Sequence, residues 1–175
     1  MKKVIVVLAV IIMMFGFTSK SDAQQMKAGV QLGVALPIGD WSDWVSTGFG
    51  GIGTFHYELK PEITLTGALG YYSFGSSSDV SNILGSYGDY SYSIVPIVAG
   101  LRYNLGKSSE QFKPYVGAEI GFYIVSYSYK AGYAGYTMKF DASDTKFGFS
   151  PMAGFKYSLQ KNLDLDVNAK YSIIS

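Results

Sequence analysis

The 175-residue chain contains no cysteine, a single histidine and five prolines, and only 15% of its residues are charged. Without cysteine it cannot form disulfides, carry out thiol chemistry or build a cysteine-based metal site. The length is that of one domain. Glycine and tyrosine, in contrast, are frequent, with 21 and 15 residues. This composition favours strands over helices.

The N-terminus has the pattern of a secretory signal peptide. Lys2 and Lys3 precede an unbroken apolar stretch from Val4 to Phe17, and Ser21-Asp22-Ala23 provides small residues for a signal peptidase. The alternative, a membrane anchor, would need a longer apolar helix. We predict that residues 1–23 are a cleaved signal peptide and that residues 24–175 form one domain. That domain would carry 11 basic and 12 acidic residues, a balance that suggests no nucleic-acid partner.

Beyond Gln24 no apolar run approaches the roughly 20 residues that a membrane-spanning helix needs. The sequence alternates instead with a period of two, which is typical of strands. It predicts seven strands, over approximately residues 28–37, 48–59, 62–74, 90–105, 112–128, 146–159 and 163–175. Short connections such as Lys60-Pro61 alternate with long ones such as YKAGYAGYTMKFDASDT. This alternation predicts an up-and-down antiparallel meander.

Aromatic residues gather at both ends of the apolar strand faces, whereas the middles are aliphatic. Those toward the long loops are Phe49, Tyr71, Phe147, Phe149 and Tyr171, and those toward the short turns are Tyr57, Tyr103, Phe155 and Tyr157. Two aromatic girdles around an aliphatic band are typical of a barrel surrounded by lipid. A strand segment such as 147–157 would span roughly 25 Å, the height of the apolar band. We therefore predict a transmembrane β-barrel whose apolar face contacts outer-membrane lipid.

The opposite faces of the strands would then line the interior. They carry three basic and three acidic residues, Arg102, Glu119, Lys156, Asp164, Asp166 and Lys170. Buried charges must be paired or hydrated. The sequence therefore predicts an interior ion-pair network that fills the barrel, with glycines leaving space for Tyr115 and Tyr123.

The segments PIVAGLRYNL, FKPYVGAEIGF and AGFKYSLQKNLDLDVNAKYS resemble the repeated strand-turn-strand phrases of the outer-membrane β-barrel domain family, the small porin-like barrels of Gram-negative bacteria. The resemblance covers essentially all of residues 24–175. It implies an eight-stranded barrel with periplasmic termini and no particular activity. Family members usually end with a strand whose last residue is aromatic, which the barrel-assembly machinery reads, so that machinery is an expected partner during biogenesis.

Seven strands would leave an open edge in the bilayer, where unpaired backbone groups are costly. We therefore expect a truncated chain in which an eighth strand is missing, with a seven-stranded closure as the alternative. Pro96 and Pro151 lie inside predicted strands, where a bulge would reverse the inward and outward faces beyond it.

Candidate sites for chemistry are few. His56 is read as a hydrogen-bonded interior residue rather than a catalytic one, and Asp164 and Asp166 as salt-bridge partners rather than an acid/base pair. Asp141 and Asp144, in the third long loop, fall short of a Ca²⁺ shell. Trp41 and Trp44 fit an interfacial belt, and the glycines of GFGGIG fit strand packing because no phosphate-binding helix follows. We predict no catalytic, cofactor or metal site.

The sequence thus predicts a small integral outer-membrane protein with a structural or surface-interaction role and no catalysis. A narrow porin-like channel is the alternative, disfavoured because side chains just fill an eight-stranded barrel. A soluble lipocalin-like ligand-binding barrel would require the apolar faces to point inward. An enzyme is the least favoured class, and the sequence identifies no partner for the surface loops.

Overall fold

The computed structural model describes residues 6–10, 15–20, 26–38, 42, 45–76, 88–106, 111–133, 136–160 and 163–175. These residues form nine antiparallel strands. The strands are β1 (Val6–Val10), β2 (Phe15–Lys20), β3 (Met26–Ala35), β4 (Val45–Lys60), β5 (Ile63–Ser76), β6 (Gly88–Asn104), β7 (Phe112–Tyr133), β8 (Tyr136–Gln160) and β9 (Leu163–Ile174). Within the described ranges, no helix is long and apolar enough to cross a membrane.

Strands β3 to β9 correspond to the seven predicted strands. Each pairs with the next along the chain in antiparallel register, from β3 with β4 through β8 with β9. The predicted all-β, up-and-down architecture is therefore confirmed.

The sheet also closes on itself. β9 pairs with β8 along one edge and with β1 and β2 along the other, and β2 pairs in turn with β3. β1 and β2 are collinear beside β9, with Val6 opposite Ile174 and Gly16 opposite Asp166. The position between β9 and β3 is thus occupied by two short strands.

These two strands lie inside the segment predicted to be a signal peptide, and strand structure was not expected there. The segment is rich in Val, Ile and Phe, side chains that also favour strands. The signal peptide and the missing eighth strand both stay predictions. A chain cleaved after Ala23 would lack β1 and β2 and would leave the position between β9 and β3 to another strand.

The third long loop was predicted wrongly. β7 continues to Tyr133 and β8 begins at Tyr136, so the two strands form one long hairpin with these residues opposite each other. Asp141 and Asp144 therefore lie in β8 rather than in a loop. The glycines and aspartates of the segment suggested a loop, but its many Tyr residues favour strand pairing.

Pro96 and Pro151 interrupt pairing without shifting the register. Between β5 and β6, Leu69 pairs with Ile97 and Tyr72 with Ile94, in the same register on both sides of the unpaired step. The same holds around Pro151 between β8 and β9. Because proline has no N–H, it loses ladder hydrogen bonds on one side only. The inward and outward faces consequently continue unchanged past both prolines.

The two faces differ sharply in exposure. Large apolar side chains point outward, and every strand from β3 to β9 has some that are more than a third exposed, for example Leu32 at 65%, Phe49 at 65% and Leu69 at 58%. Charged and polar side chains are buried inside. An apolar outer surface of this extent marks contact with a partner or with membrane, and it is the face that a barrel presents to lipid.

Glycines of β8 leave room for two interior tyrosine rings, as the sequence suggested. A Cβ atom on Gly148 would lie 2.5 Å from the Tyr123 ring. A Cβ atom on Gly154 would lie 2.8 Å from the Tyr115 hydroxyl and 2.5 Å from the Val167 carbonyl oxygen. The second clash involves backbone, which cannot move aside as a side chain can.

We expect Gly154→Ala to lower the free energy of unfolding by about 1–3 kcal/mol, because it overpacks the interior. Gly67→Ala is the matched control in β5, where nothing lies within 4 Å of the added methyl. Urea titration in lipid vesicles, followed by the fraction of heat-resistant folded band on a gel, measures both. Equal effects of the two substitutions would contradict the packing described here.

Candidate functional site

The barrel interior has two halves of different chemistry. The half toward the short turns is lined by charged and polar side chains, here called the ionic network: Lys27, His56, Arg102, Tyr115, Glu119, Lys156, Asp164, Asp166, Asn168 and Lys170. The half toward the long connections is lined mainly by apolar side chains, here called the apolar chamber: Ala35, Ile52, Tyr72, Phe74, Ile94, Pro96, Val98 and Tyr123. Glu119 and Lys170 lie at the boundary and also line the chamber.

Asp166 is the centre of the ionic network. Its Oδ2 accepts a 2.6 Å hydrogen bond from Arg102 Nη1, and its Oδ1 accepts one of 2.6 Å from Tyr115 Oη. Asn168 Nδ2 adds a 3.3 Å contact to Oδ1. The Arg102 guanidinium also lies 4.5 Å from the centroid of the Tyr115 ring, within the range of a cation–π interaction. The carboxylate thus has both oxygens bound, as a buried charge requires.

Two further groups of charges are paired near Asp166. Lys170 Nζ donates to Glu119 Oε2 at 2.7 Å, and both side chains are buried. Closer to the short turns, Lys27 Nζ lies 2.6 Å from Glu58 Oε1 and 3.4 Å from Asp164 Oδ2. Every acidic side chain of the network therefore has a cationic neighbour.

All six charged residues predicted for the interior point inward in the structure. Arg102 pairs with Asp166, and Lys170 with Glu119. Asp164 contacts Lys27 rather than one of the predicted cations. Lys156 forms no ion pair among the described residues; its Nζ lies 6.0 Å from the centroid of the Tyr115 ring, and its backbone is opposite that of Asp166.

The sequence analysis did not predict Lys27 and Asn168 as members of the network, nor the contact of Glu58 with Lys27. The alternation of side chains in β3 could have identified Lys27, since it shares the inward face with Gly29 and Gln31, opposite Ala28 and Val30. Asn168 likewise follows Asp164 and Asp166 on one face of β9.

The residues considered for catalysis or ligand binding lie apart from one another. His56 is fully buried, with Nε2 3.2 Å from Thr54 Oγ1. Asp141 accepts a 2.8 Å hydrogen bond from Ser128, and Asp144 lies 3.6 Å from Lys146 Nζ. In the described part of the chain, no three His, Asp or Glu side chains are grouped so as to hold a metal ion. GFGGIG lies within β4, and Trp41 and Trp44 are outside the described residues.

The nine aromatic residues assigned to the girdles lie on the outward face. Phe49, Tyr71 and Phe147 are at least half exposed. Neighbouring outward rings contact one another: Phe122 and Phe147 are edge to face at 5.9 Å, and Phe112 and Phe155 are tilted at 5.1 Å. Their position at the membrane interface stays a prediction.

We expect Asp166→Leu to cost about 3–5 kcal/mol of unfolding free energy, because it leaves the Arg102 charge buried and unpaired. Adding Arg102→Met should recover part of that loss, so the double variant should be more stable than the sum of the two single effects. Asp144→Asn is the control: that side chain is 62% exposed, and its ion pair should contribute under about 1 kcal/mol. Additive effects of Asp166→Leu and Arg102→Met in urea titrations would contradict a coupled pair.

Comparison with known proteins supports the same architecture. A family model of the outer membrane protein beta-barrel domain matches residues 6–175, nearly the whole chain. No curated protein matches the chain. The family suspected from the strand-turn-strand segments is confirmed. With its closed antiparallel sheet, apolar exterior and charged interior, the chain belongs to the outer membrane protein beta-barrel domain family.

Proposed function

We propose that this protein is a closed, non-conducting outer-membrane barrel that acts as a structural or surface-interaction protein and not as a channel or enzyme. Membership of the family implies the outer-membrane location. Export through a cleaved signal peptide is part of the proposal, and the eighth strand expected from the sequence would then take the place of β1 and β2. The observation that supports closure best is the Arg102–Tyr115–Asp166 group, whose side chains are at most 1% exposed.

The geometry of the ionic network supports a plug across the interior. In the closed sheet, β6 and β9 are separated by β7 and β8 on one side, so the Arg102–Asp166 pair crosses the interior instead of running along the wall. The Glu119–Lys170 pair extends over β8, and the Lys27–Asp164 contact extends over β2. Together the three contacts leave little space for a solute, as expected for a barrel of this size.

The outer surface supports a role in surface interaction. β7 and β8 have 22 and 25 residues, whereas β5 and β9 have 14 and 12. At about 3.3 Å per residue and about 40° tilt, β7 and β8 extend well beyond an apolar band of about 25 Å.

The extended part carries a polar outward face. Serine side chains line adjacent rungs across β5 to β8, namely Ser73, Ser93, Ser126 and Ser143, and then Ser91 and Ser128 beside Asp141. This hydroxyl-rich surface could form hydrogen bonds with polar molecules outside the membrane. It therefore supports the proposed role in surface interaction.

We expect the purified protein to show no steady conductance in planar lipid bilayers. A plug-deleted variant, Arg102→Ser with Tyr115→Ala and Asp166→Ser, should conduct, because it removes the charges and the ring that cross the interior. Both proteins should first be shown to migrate differently on a gel before and after boiling, as folded barrels do. Stable single-channel openings of the unaltered protein would favour the narrow channel instead.

A further inference from the structure

The apolar chamber is not explained by the proposed function. The sequence predicted an interior filled by polar side chains, although the strand at 90–105 is apolar on both faces around Ile94 and Val98. In the structure Ile94, Pro96 and Val98 point inward from β6 and face Ile52 and Phe74. The chamber and its open mouth enclose about 420 Å³ of space free of atoms, open solvent included, but water-sized spheres fit into only a small part of it. The chamber is therefore a narrow, apolar recess that suits a slender apolar chain.

The floor of the chamber is polar, with hydroxyls that are linked to one another. Ser150 Oγ lies 2.7 Å from Ser172 Oγ and 2.7 Å from Tyr123 Oη. Each hydroxyl can both donate and accept a hydrogen bond. Ser172 also lines the chamber, so its hydroxyl oxygen can accept a hydrogen bond from a ligand.

One hydroxyl of the chamber has no partner in the part of the chain that the structure describes. Tyr72 is 4% exposed, and its Oη forms no hydrogen bond with the described residues. A buried hydroxyl without a partner is unfavourable. A ligand that brings one hydrogen-bonding oxygen to this level of the chamber would relieve that cost.

The paired charges at the boundary favour an uncharged polar group on the ligand. Lys170 and Glu119 both line the chamber and are paired with each other at 2.7 Å, so the floor is neutral. A ligand carboxylate would add a buried anion without a cation of its own, which is costly. An uncharged oxygen, such as that of an alcohol, meets no such penalty.

We propose that the apolar chamber binds a medium-chain, unbranched, uncharged amphiphile of the alcohol class, with its hydroxyl at Tyr72 and Ser172 and its hydrocarbon chain toward the long connections. The chamber walls supply the apolar contact, and the two hydroxyls supply the polar end. This site lies above the ionic network, so binding does not depend on the conductance of the barrel.

The binding test uses the full chain in lipid nanodiscs, with isoleucine methyl groups labelled for NMR. Ile52 and Ile94 report on the chamber, whereas Ile97 and Ile120 are 46% and 53% exposed on the outer face and report on partition into lipid. With 1-octanol as the probe, we expect saturable shifts at Ile52 and Ile94 only. Octanoate should bind at least about ten-fold more weakly, because it brings an unpaired charge. Shifts of equal size at the four residues, without saturation, would overturn the proposal.

Two pairs of variants separate the parts of the site. Tyr72→Phe should weaken octanol binding about three- to ten-fold, the loss of one hydrogen bond, whereas Tyr71→Phe, on the exposed neighbour, should not. Ala35→Leu should abolish the saturable shifts by filling the recess, and Ala99→Leu on the outer face should leave them unchanged. Each variant is first checked for the heat-dependent gel shift. If Tyr72→Phe does not fold, Ala35→Leu and its control Ala99→Leu still test whether octanol binds in the chamber. Unchanged octanol affinity in folded Ala35→Leu would overturn the assignment.

Discussion

The buried contact between Arg102 and Asp166 constrains the rest of the structure. A guanidinium and a carboxylate inside a barrel are tolerated only when paired and fully hydrogen-bonded, and here Tyr115 and Asn168 complete the set. Because the two charges belong to β6 and β9, their pairing requires the sheet to curl until these strands face each other. The Tyr115 ring reaches Asp166 only because β8 has a glycine at position 154, so the packing of the wall and the chemistry of the interior depend on one another.

The second constraint is the lipid that surrounds the barrel. In lipid, every backbone group must be satisfied within the sheet, which explains why closure matters. The unpaired steps at Pro96 and Pro151 are confined to one side of each proline, because each proline lacks a single N–H. Because side chains alternate in direction along each strand, each residue faces either the lipid or the interior. The interior chemistry is not uniform along the axis: charges fill the end toward the short turns, and apolar side chains line the other end. One barrel thus combines an end filled by paired charges with an apolar recess at the other end.

Much of this arrangement could be predicted from the sequence because side-chain alternation is local. The inward direction of Arg102, Glu119 and Lys170 follows from their neighbours in each strand. Which charges meet does not follow, since it depends on the stagger between strands that are distant in the chain; Asp164 contacts Lys27, a residue that was not considered. Ile94 and Val98 made the faces of β6 ambiguous, and the ambiguity was the sign of the apolar chamber. The strands at residues 6–10 and 15–20 and the long β7–β8 hairpin were missed, because apolar and glycine-containing segments also fit a signal peptide and a loop.

The central claim is that the apolar face meets lipid while the charges are enclosed. The absence of cysteine allows nitroxide labels to be placed singly at the exposed alanines of the outer face, by Ala99→Cys, Ala153→Cys and Ala169→Cys, in protein reconstituted in bilayers. The account predicts that all three labels are accessible to dissolved oxygen and shielded from a water-soluble nickel reagent, as expected within hydrocarbon. Labels that react freely with the nickel reagent in the folded protein would show that this face meets water, and the assignment of inside and outside would have to be reversed.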